Sequence, residues 1–273
     1  MPGLETQRGG MRCALLTGCI PILAELLRKM WRASGTGKDL SIWTLSSEVQ
    51  RLPSGKEVRM GDAYHAVDAQ YEVVHTALRW KGLQILNHPN DLFAIMDFLW
   101  EERPDVLIEL GTNTGAGALF YAEAMVAYNP LAHVITVDVE DFVNSSSSFN
   151  SMISASAEEL GASAASSPLW GSTIRQLVGQ PESRHVVEQV ERLLTEFDSK
   201  KIFLIEDSLH RKAMVLKNLL TYQRFVRPCG WILIHDTKLE HLYPLLYGGD
   251  GPLTARDEFL RKFPEYKVNR VYE

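Results

Sequence analysis

Scarcity narrows the class of this chain first. It has three cysteines in 273 residues, Cys13, Cys19 and Cys229, with no CxxC pair, so neither a disulfide framework nor a thiolate zinc site organises the fold. Their expected role is packing in a reducing compartment, the cytoplasm. Basic charge is also short, since 28 Lys+Arg against 34 Asp+Glu leave a net −6. That balance argues against a broad phosphate-binding surface, and nucleic acid is not an expected partner. Long apolar runs are missing too. The most apolar stretch, MRCALLTGCIPILAELLRKMW, is interrupted by Pro21 and Glu25, whereas a spanning helix needs about 20 apolar residues. No transmembrane span is expected, no clean cleavage site follows as a signal peptide requires, and the stretch reads as an amphipathic packing helix.

What is present suits one globular catalytic domain, at 45% hydrophobic and 23% charged residues. Residues 1–78 mix Gly, Arg and Ser with that apolar run, then turn helical from Gly61 to Leu78; they read as an N-terminal helical cap with a leader. Residues 79–273 read as the main domain. There the pattern alternates: helix 91–101, strand 105–110, helix 115–127, strands 133–138 and 173–178, helix 182–197, strand 201–206, helix 209–225, strand 230–235 and helix 253–263. Strands alternating with helices give an α/β fold, a doubly wound, mainly parallel sheet with helices on both faces. The Ser- and Ala-rich insertion 144–172 breaks this rhythm. Segments of that length are either functional lids or disordered, and this one is expected to be a mobile lid or an insertion.

The stretch VLIELGTNTGAGALF runs from a buried strand through glycines at 111, 115 and 117 into a helix. Such a turn brings backbone N–H groups and a helix N-terminus to the carboxyl edge of the sheet. Dinucleotide folds read G-x-G-x-x-G; here Glu109 stands two residues before glycines spaced G-x-x-x-G-x-G, the form usual for S-adenosylmethionine (SAM). Parallel topology then gathers the other strand ends on the same edge. Asp138 in VITVDVED can accept both ribose hydroxyls, or simply cap a loop. Asp207 in FLIEDSLH and Asp236 in WILIHDT arrive from neighbouring strands, where two carboxylates suit a hard divalent cation such as Mg²⁺. The plainer reading makes Asp207 a helix cap and leaves Asp236 solvated.

In order along the chain, Trp80-Lys81-Gly82, NHPNDL, RPDVLIELGTNTGAGAL, TVDVED, EDSLH, HDT and GPLTARDEFL resemble the cephalosporin hydroxylase family, whose members include rhamnosyl O-methyltransferases. The resemblance covers about residues 78–272. It implies a Rossmann-like SAM-dependent methyltransferase with a divalent metal. Its cofactor set falls on Glu109, Gly111, Thr112, Gly115, Gly117 and Asp138, and its metal aspartates on Asp207 and Asp236. The end of the fourth strand is also similar to catechol O-methyltransferase, whose metal aspartate is followed three residues later by a lysine base. His210 holds that offset here, and an imidazole near neutral pKa can take the hydroxyl proton. His235 stands where the family usually has an acid, which makes it a candidate third metal ligand of softer preference or leaves the site one ligand short. The family's fold continues beyond the equivalent of FPEYKVNRVYE into a last antiparallel strand, expected to be missing here; the open edge would be covered by the terminal segment or by a second copy in a homo-oligomer.

The expected activity is therefore a SAM-dependent, Mg²⁺-assisted O-methyltransferase acting on a hydroxyl of a small molecule or carbohydrate. Two other classes compete. One is a SAM-binding interaction protein without activity; the other is a nicotinamide-dependent oxidoreductase, which would need the tighter glycine spacing.

Overall fold

The computed structural model describes residues 14–17, 49–51, 57–59, 78–146, 148, 155–226 and 230–269. Its strands are β1 (Ala14–Thr17), β2 (Val49–Arg51), β3 (Glu57–Arg59), β4 (Arg79–Trp80), β5 (Leu83–Gln84), β6 (Val106–Leu110), β7 (His133–Asp138), β8 (Ile174–Val178), β9 (Ile202–Glu206), β10 (Trp231–Ile234) and β11 (Lys267–Val268). Its helices are α1 (Pro89–Glu102), α2 (Ala116–Val126), α3 (Ala157–Leu160), α4 (Arg184–Glu196), α5 (Lys212–Tyr222), α6 (Leu239–Leu242), α7 (Pro244–Tyr247) and α8 (Pro252–Lys262). A seven-stranded sheet runs in the order β11-β1-β10-β9-β6-β7-β8, and each of its pairings is parallel. Two antiparallel pairs, β2 with β3 and β4 with β5, stand apart from it.

The central strands are continuous apolar runs because both faces are covered, as a parallel sheet requires. Alternate residues enter opposite layers. Leu107, Phe203 and Leu233 join α1 and α2 on one face, whereas Ile108, Leu204 and Ile232 join α4, α5 and α8 on the other. On α1, Leu92, Ile95, Phe98 and Leu99 repeat at helical spacing and are buried; Phe98 meets Phe203 at 4.7 Å and Trp231 at 5.0 Å. Burying each such side chain is worth roughly 1.5–3 kcal/mol.

The edge beyond β10 is where expectation and structure part. Ala14–Thr17, read from sequence as the start of a packing helix, is a strand that pairs with β10. The rest of that apolar stretch and the helical pattern from Gly61 lie outside the described residues. A four-residue apolar run fits helix or strand equally by its own pattern, and the open edge of β10 supplies ladder partners that decide the matter. Beyond β10 the sheet is extended by β1 and then by β11, both parallel.

Candidate active site

Register brings the strand ends together. Leu110 pairs with Val137 and Glu206, and Glu206 pairs with Ile234, so the next residues of these four strands, Gly111, Asp138, Asp207 and His235, leave the sheet side by side. The ladder continues one step, with Gly111 N–H donating to the Val137 carbonyl (2.8 Å), Asp207 N–H to that of Leu110 (2.9 Å) and His235 N–H to that of Glu206 (3.0 Å). Strand order reverses at β6, and a crevice outside the carboxyl ends is the expected ligand site of such a sheet. A cleft of about 360 Å³ opens there, lined among others by Gly111, Asn113, Asp138, Asp207, His210 and Asp236.

Gly111 is required by packing. Its φ is +111°, and a Cβ there would stand 2.0 Å from the Asp207 carbonyl oxygen; only glycine lets β6 and β9 leave the sheet this close together. Asp138 is held by its neighbours, its Oδ2 accepting from Asn113 N–H and its Oδ1 from Val139 N–H, both at 2.8 Å. Burial nevertheless raises its pKa, against the lowering effect of those N–H groups. Each carboxylate oxygen retains a lone pair, which fits a pair of ribose hydroxyls.

The remaining residues of the expected cofactor set do not line the cleft. Thr112 is buried, with its hydroxyl 2.6 Å from that of Thr136, and Asn113 faces the cleft in its place. Asn113 has φ +46°, a conformation asparagine tolerates better than most residues. Glu109 is buried behind the turn and accepts from Thr136 at 2.5 Å. A Cβ on Gly117 would lie 2.7 Å from Glu109 Oε1, and one on Gly115 would lie 2.8 Å from the Trp170 ring. Both glycines therefore make room for protein. Phe142, Gln180 and Pro181 complete that end of the cleft. None of the three is among the residues expected from sequence, although Phe142 follows Asp138 closely and Gln180 and Pro181 follow β8, a strand end on the same edge.

At the other end the structure gathers Asp207, His210 and Asp236. One ligand atom from each lies within 4.8 Å of the others, and His210 Nε2 stands 3.3 Å from Asp236 Oδ2. Burial first, and then Asp236 and Glu109, push the Asp207 carboxyl well above the usual range, as expected for a buried carboxyl crowded by other acids. Asp236 adopts φ +54°, which ends the strand and turns the chain toward His210. His235, the expected third ligand, is not in this group. It is still in the ladder through its N–H, its side chain is buried, its Nε2 has no hydrogen-bond partner among the described residues, and burial pushes it down to about 4. The correction follows from strand alternation: Ile234 enters the α5–α8 layer, so His235 takes the opposite face, and only the left-handed turn at Asp236 escapes that rule. Two carboxylates and one imidazole make a donor set that fits a divalent cation.

The described part of the Ser-rich insertion lies away from the cleft. Residues 155–172 line none of the cleft and pack instead behind the glycine turn.

A doubly wound parallel sheet with this turn, this strand-end acid and this site at its switch point defines a Rossmann-like methyltransferase. The family model of rhamnosyl O-methyltransferase/CmcI matches residues 72–273, and the chain belongs to that family; it is a SAM-dependent O-methyltransferase. A rhamnosyl O-methyltransferase of Mycobacterium leprae (strain TN) is 26% identical over 186 residues, covering 68% of this chain and 71% of the relative. One from Mycobacterium tuberculosis (strain ATCC 25618 / H37Rv) is 25% identical over 197 residues, covering 71% of each. Among solved structures, the O-methyltransferase NovP aligns at TM-score 0.42 and 15% identity, over 63% of this chain and 70% of NovP. The MycE methyltransferase from the mycinamycin pathway, solved with Mg and SAH, aligns at TM-score 0.41 and 17% identity, over 62% of this chain and 42% of MycE. Among the described residues, no helix is long and apolar enough to cross a membrane.

Proposed function

We propose that this enzyme binds SAM in the cleft at the β6–β9 switch point and methylates a hydroxyl of a small-molecule or carbohydrate acceptor, held on a divalent cation by Asp207, His210 and Asp236. The observation that carries the reading is the three-residue group itself, which lies on the same cleft as Gly111 and Asp138. The names of the mycobacterial relatives support a sugar hydroxyl as acceptor.

When bound, SAM supplies a sulfonium-activated methyl group and the cation makes an acceptor hydroxyl more acidic. The chain's own contribution is positioning. Asp138 receives the ribose hydroxyls, Val139 and Phe142 offer apolar surface next to it, and the close exit of β6 and β9 sets the distance between cofactor and metal ends of the cleft. His210 is assigned here to the cation site, in place of the free base expected from its offset, because it stands within the ligand group. An imidazole beside two carboxylates shifts preference from Mg²⁺ toward Mn²⁺ or Co²⁺.

Excess chelator should abolish methyl transfer from labelled SAM while calorimetric SAM binding persists, and His210→Ala should weaken Mn²⁺ binding together with turnover. Undiminished transfer in chelator would remove the metal from the mechanism. Unchanged Mn²⁺ affinity in His210→Ala, with kcat lowered about 10²–10⁴-fold, would return His210 to the role of base.

A further inference from the structure

The turn at Thr112–Gly115 is conformationally demanding, with Asn113 at φ +46° and Gly115 at φ +79°. Two left-handed residues in one short turn do not hold themselves in place. On its cleft side the turn presents Asn113, whose N–H fixes Asp138. On its other side it is packed against the Ser-rich insertion, where a Cβ on Gly115 would stand 2.8 Å from Trp170 Cη2 and 2.9 Å from Ala164 Cβ. The tryptophan ring is thus seated directly on the backbone of the turn.

That ring has a firm root. Trp170 forms a bridge with Ile174, the first residue of β8. Gly171 N–H donates to the Ile174 carbonyl, and the N–H groups of Thr173 and Ile174 donate to the Leu169 carbonyl, each at 2.9 Å. The insertion also reaches the turn through β5. Ala155 N–H donates to Gln84 Oε1, and the Gln84 carbonyl accepts from Thr114 Oγ1, both at 2.6 Å. The turn is therefore held between β5 and the insertion, and its cleft side faces the space assigned to the cofactor.

We propose that Trp170 is a positioning residue for SAM: packed on Gly115, it fixes the turn from behind and, through Asn113, sets the Asp138 carboxylate that receives the ribose. The inference rests on the methyltransferase reading. It gives the insertion a task other than covering the cleft, and it makes Gly115 a seat for an aromatic ring in place of a point of cofactor approach. A cofactor-binding turn held in its bound shape before the ligand arrives spares the ordering that binding would otherwise require.

The test uses the whole chain, with SAM affinity measured by calorimetry, thermal midpoint, and KM and kcat measured separately. In Trp170→Ala, SAM affinity should fall about tenfold or more, KM for SAM should rise accordingly, and kcat at saturating SAM should stay near wild type. Trp170→Phe, which keeps an aromatic ring but lacks the outer indole atoms that meet Gly115, should recover part of the affinity. A lowered thermal midpoint with unchanged SAM affinity would overturn the proposal, because a merely structural tryptophan behaves that way. Gly115→Ala supplies the second measurement, since its added methyl meets the ring. Gly115→Ala combined with Trp170→Phe or Trp170→Leu should bind SAM better than Gly115→Ala alone; the left-handed alanine is common to both, and Ala164 limits the recovery. Additive losses would show that the ring does not act through Gly115, and this comparison stands even if Trp170→Ala fails to fold. Absence of SAM binding by the wild-type chain would instead defeat the methyltransferase reading.

Discussion

Glu109 lies one residue from the end of β6 with its carboxyl taken out of water, and no ion pair reaches it among the described residues. Thr136 donates to its Oε2, and Thr112 stands 2.6 Å from Thr136, so three buried side chains form one polar chain behind the turn. Burial, with a smaller contribution from Asp138, pushes the Glu109 carboxyl up to about 8 from 4.5. Between those values the folded protein holds a proton that the unfolded chain has released. Stability is therefore fully present below the unfolded pKa and falls as pH rises toward about 8. Glu109→Gln keeps an acceptor for Thr136 and cannot ionise, so its thermal midpoint should decline less than that of wild type between about pH 5 and pH 9. Parallel declines in the two proteins would assign the pH dependence elsewhere. At Asp138 the expectation concerns affinity. Asp138→Ala removes the acceptor of the ribose hydroxyls and should weaken calorimetric SAM binding by about 1–3 kcal/mol; equal binding by the variant would move the ribose to another residue.

Among the elements, the segment after β10 shows how a short stretch is kept in place beside a site. Helix α8 begins at Gly251, which has no side chain to cap it, and Glu240 from α6 reaches across instead. Its carboxylate accepts from Thr254 N–H at 2.7 Å, Thr254 Oγ1 at 2.6 Å and Gly249 N–H at 3.1 Å. A Cβ on Gly251 would lie 2.5 Å from Glu240 Cγ, so glycine is needed at the N-cap for the borrowed cap to fit. Because α6 follows the left-handed turn at Asp236, the same contacts tie the chain leaving Asp236 to a helix whose inner face, Ala255 and Phe259, is buried. Glu240→Ala should lower unfolding stability by about 1–2 kcal/mol in urea without changing the m-value. A loss too small to measure would mean that water caps the helix equally well. Arg211 secures the other flank, donating to the Leu246 carbonyl at 2.6 Å and lying over the Tyr247 ring at 5.0 Å.

Across the whole molecule, sheet closure gives β1 its place beside β10. β10 would be an open edge without β1, and unpaired ladder groups on an apolar strand recruit other chains. Deleting residues 1–17 should therefore produce concentration-dependent association by light scattering, whereas a variant that stays monodisperse would show that β1 does not protect this edge. The contrast between β1 and the central strands marks what could be read in advance. β6, β7, β9 and β10 were legible because each is an apolar run bounded by turn residues and separated by a helix-length segment, and parallel topology alone then placed Asp138, Asp207 and Asp236 on one edge. That reasoning needs only the chain's own periodicity and the handedness of its connections. The rest depended on contacts between residues distant in sequence. The pairing of Ala14–Thr17 with β10, the Trp170 ring on Gly115, and the burial of Glu109 against Gly117 leave no mark in local pattern. The exchange of His235 for His210 beside the aspartates hinges on one backbone angle, φ +54° at Asp236. Sequence by itself determined which strand ends meet at the cleft; tertiary structure decided which side chains at those ends face it, because strand alternation and close packing, not residue type, set the direction in which each one points.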